Sequence, residues 1–180
     1  RGEMMSLNIQ YISKDNQIES AHSLESVPAD TTFRWFDYDS YNDKDQLIEN
    51  FNIDGNLLED EITKKYRPQH FNLGEYQILI CHVIDEASLK AHSINICVMK
   101  DTVVTYHDGV LKDFIDIEKI IKNKNEDLEI DVALNLLLAT VDQYFEVVHE
   151  IEDDVISFED HHGDEKRGKD ISSQMFALRK

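Results

Sequence analysis

Tyr76-Gln-Ile-Leu-Ile-Cys-His-Val-Ile84, Ser93-Ile-Asn-Ile-Cys-Val-Met99 and Thr102-Val-Val-Thr-Tyr-His107 follow one another closely, and together they decide the fold class. The first run is apolar and β-branched with little alternation, as in a strand buried on both faces. The second and third are separated only by Lys100-Asp101, and two strand-like runs with two turn-forming residues between them make a hairpin. Upstream, Thr32 to Tyr38 alternates well enough for another strand, with Trp35 as its core anchor. Ser6 to Ile12 reads as an edge strand, followed by a polar linker that closes at Val27-Pro28. Asp43 to Phe51 is expected to be a helix: Asp43 suits a cap, and Leu47, Ile48 and Phe51 fall at helical spacing. The turn signal Asp54-Gly55-Asn56 separates it from a short acidic helix that begins near Leu57 and closes at Arg67-Pro68. Asp113 to Lys122 carries Phe114, Ile117, Ile120 and Ile121 on one face of a further helix. Strands interleaved with helices predict an α/β layered domain over residues 1–128.

From Asp131 the period changes. Leu134, Leu137, Val141, Tyr144, Val148, Ile151, Val155 and Phe158 alternate steps of three and four, an a/d stripe flanked by Glu146, Glu150, Asp153 and Asp154. This predicts a long helix ending in the polar run His161 to Lys169, where Gly163 and Gly168 break the pattern. A second helix is expected from near Asp170, with Ile171, Met175 and Leu178 on one side. Residues 129–180 therefore read as a long acidic antiparallel hairpin. The helical pattern runs to the last residues, which reads as a chain that continues.

Composition narrows the function. The 180 residues are 41% hydrophobic, enough for a packed core, and carry a formal charge of −19. That charge argues against nucleic acid, whose phosphates reward clustered Lys and Arg, and against docking on anionic lipid. It favours cations and basic partners. Cys81 and Cys97 sit in strand-like runs without framework or zinc-type spacing, as expected of reduced thiols in a cytosolic protein. No run of 18 or more apolar residues offers a membrane span.

Three carboxylates are candidate metal ligands. Glu59 and Asp60 are adjacent in the acidic segment, and Asp142 follows Val141 just beyond an apolar block. Magnesium is a hard cation that keeps most of its waters and takes one or two protein carboxylates. Residue type alone does not separate such ligands from a solvated helix face, and Glu61 adjoins the pair. Asp160-His161-His162-Gly163-Asp164-Glu165 has the donor chemistry of zinc or nickel. Without a cysteine or a third spaced histidine, a solvated connection is the simpler reading. No P-loop, GxGxxG, GxSxG, HExxH or Cys/His nucleophile context occurs, so an enzyme is not expected.

The order of these elements resembles the cytoplasmic N-terminal domain of CorA-type magnesium channels, from about Thr32 to Lys180. The resemblance is carried by Glu59-Asp60 followed by Arg67-Pro68, by Val104-Thr-Tyr-His107, and by the pattern from Leu138 to Glu159. Gln69 departs from it, standing where the family usually has lysine. The family's Gly-Met-Asn signature and its two membrane helices have no counterpart in these residues. The resemblance implies a central mixed β-sheet between helical layers, followed by the acidic hairpin and, beyond it, a stalk helix. It implies a homopentamer in the cell membrane, with this part on the cytoplasmic side and divalent cations between subunits holding the pore closed. Carried over by position, Asp60 is the principal regulatory ligand, Glu59 its neighbour, and Asp142 a further acidic ligand. Mg2+ is the cation expected, regulatory or transported, with Co2+, Ni2+ or Zn2+ as others. Apart from the membrane helices, this chain is expected to be a monomer or weak oligomer. A zinc-transporting relative and a stand-alone acidic binding module are the other readings.

Overall fold

A computed structural model describes residues 7–58, 68–85, 90–107 and 127–162. The elements are β1 (Leu7–Ile12), β2 (Ile18–Ala21), β3 (Phe33–Tyr38), α1 (Lys44–Phe51), β4 (Gln69–Asn72), β5 (Tyr76–Asp85), β6 (Lys90–Met99), β7 (Thr102–Tyr106) and α2 (Leu128–His162). The acidic segment 59–67, the helix expected over Asp113–Lys122 and the second helix of the hairpin lie outside the described residues.

The seven strands form one mixed sheet in the order β2-β1-β3-β7-β6-β5-β4. Every pairing is antiparallel except β3 with β7, which run parallel from Arg34 opposite Thr102 to Tyr38 opposite Tyr106. β5, β6 and β7 are a meander of neighbours in sequence. The β6–β7 turn is Lys100-Asp101, as the sequence predicts, with Asp101 at φ 54°, a left-handed conformation that aspartate tolerates. Gly74 takes φ 87° in the β4–β5 turn, where a side chain would be strained.

The edge assignment is corrected. β1 is internal, paired with β3 on one side and with β2 on the other. The expected linker contains β2, Ile18-Glu-Ser-Ala21, which takes the edge and buries only Ala21. An edge strand covered on so little of its surface needs no apolar alternation, which is why the sequence pattern misses it.

Both faces of the sheet are covered. On one, Phe33, Trp35, Val83, Ile94, Ile96 and Val103 pack with Val132, Ala133 and Leu136 from the first turns of α2. On the other, Phe36, Tyr38, Ile78, Ile80, Val104 and Tyr106 pack with Leu47 of α1 and with Ile53 and Leu58 beyond it. Fully burying one such aliphatic or aromatic side chain contributes about 1.5–3 kcal/mol. Phe51 seats α1, its ring centroid 4.9 Å from that of Phe36. The helix stops at Asn52, left-handed at φ 53°, whose N–H donates to the Ile48 carbonyl. Asp43 occupies the N-cap position, but its side chain makes no capping hydrogen bond. Ser40 caps instead, accepting from Asn42 N–H at the short 3-10 turn that leads in.

α2 is continuous over 35 residues. The chain divides into two compact units, Arg1–Gln143 and Tyr144–Lys180, with the boundary inside this helix. The buried positions of α2 include Ala133, Leu136, Thr140, Gln143 and Val147, again at alternating three- and four-residue steps. The more apolar stripe read from the sequence is largely the other one. Leu134, Val141, Tyr144, Val148, Ile151 and Val155 are all exposed, and of that stripe Leu137 packs partly against the core.

Candidate functional site

Asp142 lies on α2, solvent-exposed, with Glu146 and Glu150 exposed one and two turns further on. Residues four apart share a helix face, so the three carboxylates form one ridge. Between Asp127 and Asp160 the chain has no Lys or Arg. An exposed carboxylate on a helix stretch that itself has no Lys or Arg suits a hydrated hard cation, which keeps its inner waters and takes few protein oxygens. Among the described residues no three His, Cys, Asp or Glu side chains come close enough to hold a metal ion together.

Glu59 and Asp60 lie outside the described residues. The chain on either side of them is fixed. Leu58 is buried against the α1 face of the sheet, and its carbonyl accepts from Lys44 Nζ at 3.2 Å. On the far side the chain passes Pro68 into β4, where Gln69 pairs with Ile80. The acidic pair thus belongs to a segment held at both ends by the sheet domain. His161 and His162 are the last two described residues of α2.

The structure also assembles a polar relay that sequence reasoning did not single out. β3 and β7 run parallel and in register, so Asp37 and Thr105 are cross-strand neighbours on the face that α2 covers. Trp35 Nε1–H donates to Thr105 Oγ1 at 2.9 Å, and Thr105 donates to Asp37 Oδ1 at 2.5 Å. His107 Nε2 lies 2.8 Å from the same carboxylate oxygen. A carboxylate oxygen accepts, so His107 Nε2 donates to Asp37. His107 is almost wholly buried, and its Nδ1 has no hydrogen-bond partner among the described residues. A carboxylate behind an imidazole fixes ring orientation, as in metal and catalytic sites. Here the bare nitrogen has no access to solvent, so the relay ties β3 to β7. Part of the signal was available: Asp37 and Thr105 each sit two residues from a core position of like parity, Trp35 and Val103, and His107 follows two residues beyond Thr105.

The thiols are inert by environment. Burial pushes Cys81 up to about 11 and Cys97 up to about 12, leaving almost no thiolate near neutral pH. The two side chains pack in different core clusters, on opposite faces of the sheet.

Comparison with known proteins agrees with this architecture. The complete CorA magnesium transporter of Methanocaldococcus jannaschii superposes with a TM-score of 0.66 at 15% identity, covering 86% of this chain and 50% of that one. The soluble domain of the same organism's CorA gives 0.62 at 16% identity, covering 89% of this chain and 66% of that one. The ZntB cytoplasmic domain of Vibrio parahaemolyticus RIMD 2210633 gives 0.60 at 14%, covering 93% and 70%. At such identities these likenesses speak for the fold alone. The chain spans about half the length of the complete CorA it matches. Sequence comparison with curated proteins returns no significant match. No helix among the described residues is long and apolar enough to cross a membrane. The profile of the CorA-like Mg2+ transporter protein family matches residues 30–180, well over half of the sequence, and the chain belongs to that family.

Proposed function

We propose that this chain is the cytoplasmic regulatory part of a CorA-like divalent-cation channel, sensing Mg2+ through carboxylates at subunit boundaries. The observation that carries the reading is the family match over residues 30–180, which takes in an exposed acidic ridge at Asp142. In this proposal Asp60 is the principal ligand, Glu59 its accessory and Asp142 a further contributor, while residues 129–180 form the hairpin leading toward a stalk. Co2+, Ni2+ and Zn2+ are the other cations such oxygen-rich sites would meet. The chain catalyses no reaction in this reading. The whole protein is a homopentamer in the membrane, and this chain alone is a monomer or weak oligomer, since −19 charges per copy oppose association.

Electrostatics supplies the gate. Carboxylates brought together across a boundary repel when empty, and a shared dication reverses the sign. Loss of the ion then shifts the population toward the open state, provided the closed state binds it better.

A zinc-transporting relative is the second reading, favoured by the likeness to the ZntB domain and by the adjacent histidines His161 and His162 on α2.

The test is the magnesium-dependent shift in Tm for wild type, Asp60→Ala and Asp142→Ala at one fixed, high ionic strength, which removes general screening. Half of an intersubunit site should bind in the millimolar range. At a concentration ~10 times Kd this raises stability by about 1.4 kcal/mol. The shift should shrink in both variants. A micromolar site that survives Asp60→Ala would sink that residue as principal ligand, and stronger stabilisation by Zn2+ than by Mg2+ would favour the second reading.

A further inference from the structure

We propose that the turn of α2 from Thr140 to Tyr144 is a yielding joint, where the helix opens locally while the turns on either side stay closed. The order of buried positions points there first. Val132, Ala133 and Leu136 hold the proximal turns to the sheet with apolar surface, and Val147 is buried further on. Between Leu136 and Val147 the buried positions are Thr140 and Gln143, both polar. A helix within a protein draws most of its stability from the apolar face it packs, so this turn is held less firmly than its neighbours.

Gln143 and Thr140 each lower the cost of opening, in different ways. Gln143 is 7% exposed, and its Oε1 is buried without a hydrogen-bond partner among the described residues. Such an amide oxygen has given up its water without replacement, and opening the turn returns it to solvent. Thr140 Oγ1 donates to the Leu137 carbonyl at 2.7 Å. In a helix that carbonyl also accepts from the N–H four residues on, here Val141. When Val141 lets go, the hydroxyl still satisfies the oxygen, and a side chain that enters the backbone ladder in this way is an origin of helix bends. The boundary between the two compact units of the chain falls at the same place, between Gln143 and Tyr144. Asp142 lies inside the joint and is exposed. Opening therefore moves the carboxylate proposed above as a cation ligand, although the joint itself does not rest on that role.

The test is native-state hydrogen exchange followed by NMR, on the whole chain with divalent ions removed by chelator. The N–H groups of Val141 to Tyr144 should form a minimum of protection, at least about tenfold below those of Leu136 and Leu137 and below those of Val148 to Ile151. Low urea should leave their rates unchanged, because a local opening exposes little surface. Gln143→Met keeps the length and removes the partnerless oxygen, and should slow these amides about tenfold or more. Gln143→Glu should speed them, since a buried carboxylate costs more than an amide. Thr140→Val, which keeps the branched shape and loses only the hydroxyl, should slow them by a smaller factor. Protection that falls steadily from Leu136 to Ile151 is fraying from the distal end and overturns the proposal. So do rates that follow urea as those of the core strands do, or rates that Gln143→Met and Thr140→Val leave unchanged.

Discussion

The β5–β6–β7 meander and the distal half of α2 are both rich in apolar residues, yet they use them in opposite ways. In β6, Ser93 to Val98 are all buried, residue after residue, because α2 covers one face of the sheet and α1 with its flanking turns covers the other. In α2 beyond Gln143, Val147 is buried while Tyr144, Phe145, Val148, Ile151, Val155 and Ile156 are exposed. Apolar spacing specifies the geometry of an element, but only a neighbouring element converts that geometry into burial. A sheet carries neighbours on both flanks by construction, whereas a helix face must be supplied with one.

The sharpest way to break this contrast is at Trp35, which is buried and donates to Thr105. Trp35→Ala is expected to cost about 3–5 kcal/mol, measured by urea denaturation, through lost burial and a residual cavity. Asp37→Ala comes next. It strips the shared acceptor from Thr105 and His107, and about 2–4 kcal/mol of destabilisation is expected, with Asp37→Asn milder because the amide oxygen still accepts.

A third test uses the buried thiols. The folded state holds Cys97 neutral up to about pH 12, while the unfolded chain ionises near 9. Its contribution is fully present below pH 9 and is lost as pH rises, because the unfolded state sheds the proton first. The expected slope is about 1.4 kcal/mol per pH unit above 9. Cys97→Ala should flatten it relative to wild type, whatever its absolute stability. A slope identical in the two proteins would show that other groups govern the alkaline limit. The smallest effect belongs to the distal helix: Val148→Ser should change stability by less than about 0.5 kcal/mol. A loss of 2 kcal/mol there would mean that Val148 is packed against another element.

Much of the fold was legible before the structure. The long strands announce themselves because burial on both faces demands unbroken apolar runs, and α1 shows its amphipathic period. What escaped had physical reasons. β2 is polar because it is an edge. The buried row of α2 contains Ala133, Thr140 and Gln143, small or polar residues that allow close approach and that a hydrophobicity count passes over. Asp37 and His107 look like surface residues by type, and only pairing between strands distant in sequence makes them partners. For the candidate site, residue type offered Glu59, Asp60 and Asp142 as oxygen donors, and the resemblance supplied their roles. Carboxylates on acidic helices are too common for spacing alone to separate a ligand from a solvated face.

The parallel seam between β3 and β7 has a consequence for how the chain folds. Trp35 and Thr105 are 70 positions apart, and no local turn can bring them together. The β2-β1-β3 ribbon and the β5–β7 meander each close through near neighbours, so their contacts form at low entropic cost, whereas the β3–β7 pairing that joins them must close a long loop. During synthesis β1 to β3 leave the ribosome well before β7, and until β7 arrives the β3 edge from Arg34 to Tyr38 lacks its strand partner. Substitutions inside either ribbon should therefore mainly slow refolding, while those at the β3–β7 junction mainly hasten unfolding, a division that stopped-flow chevrons would expose. The parallel junction that completes the sheet is also where a growing chain is most in need of a chaperone.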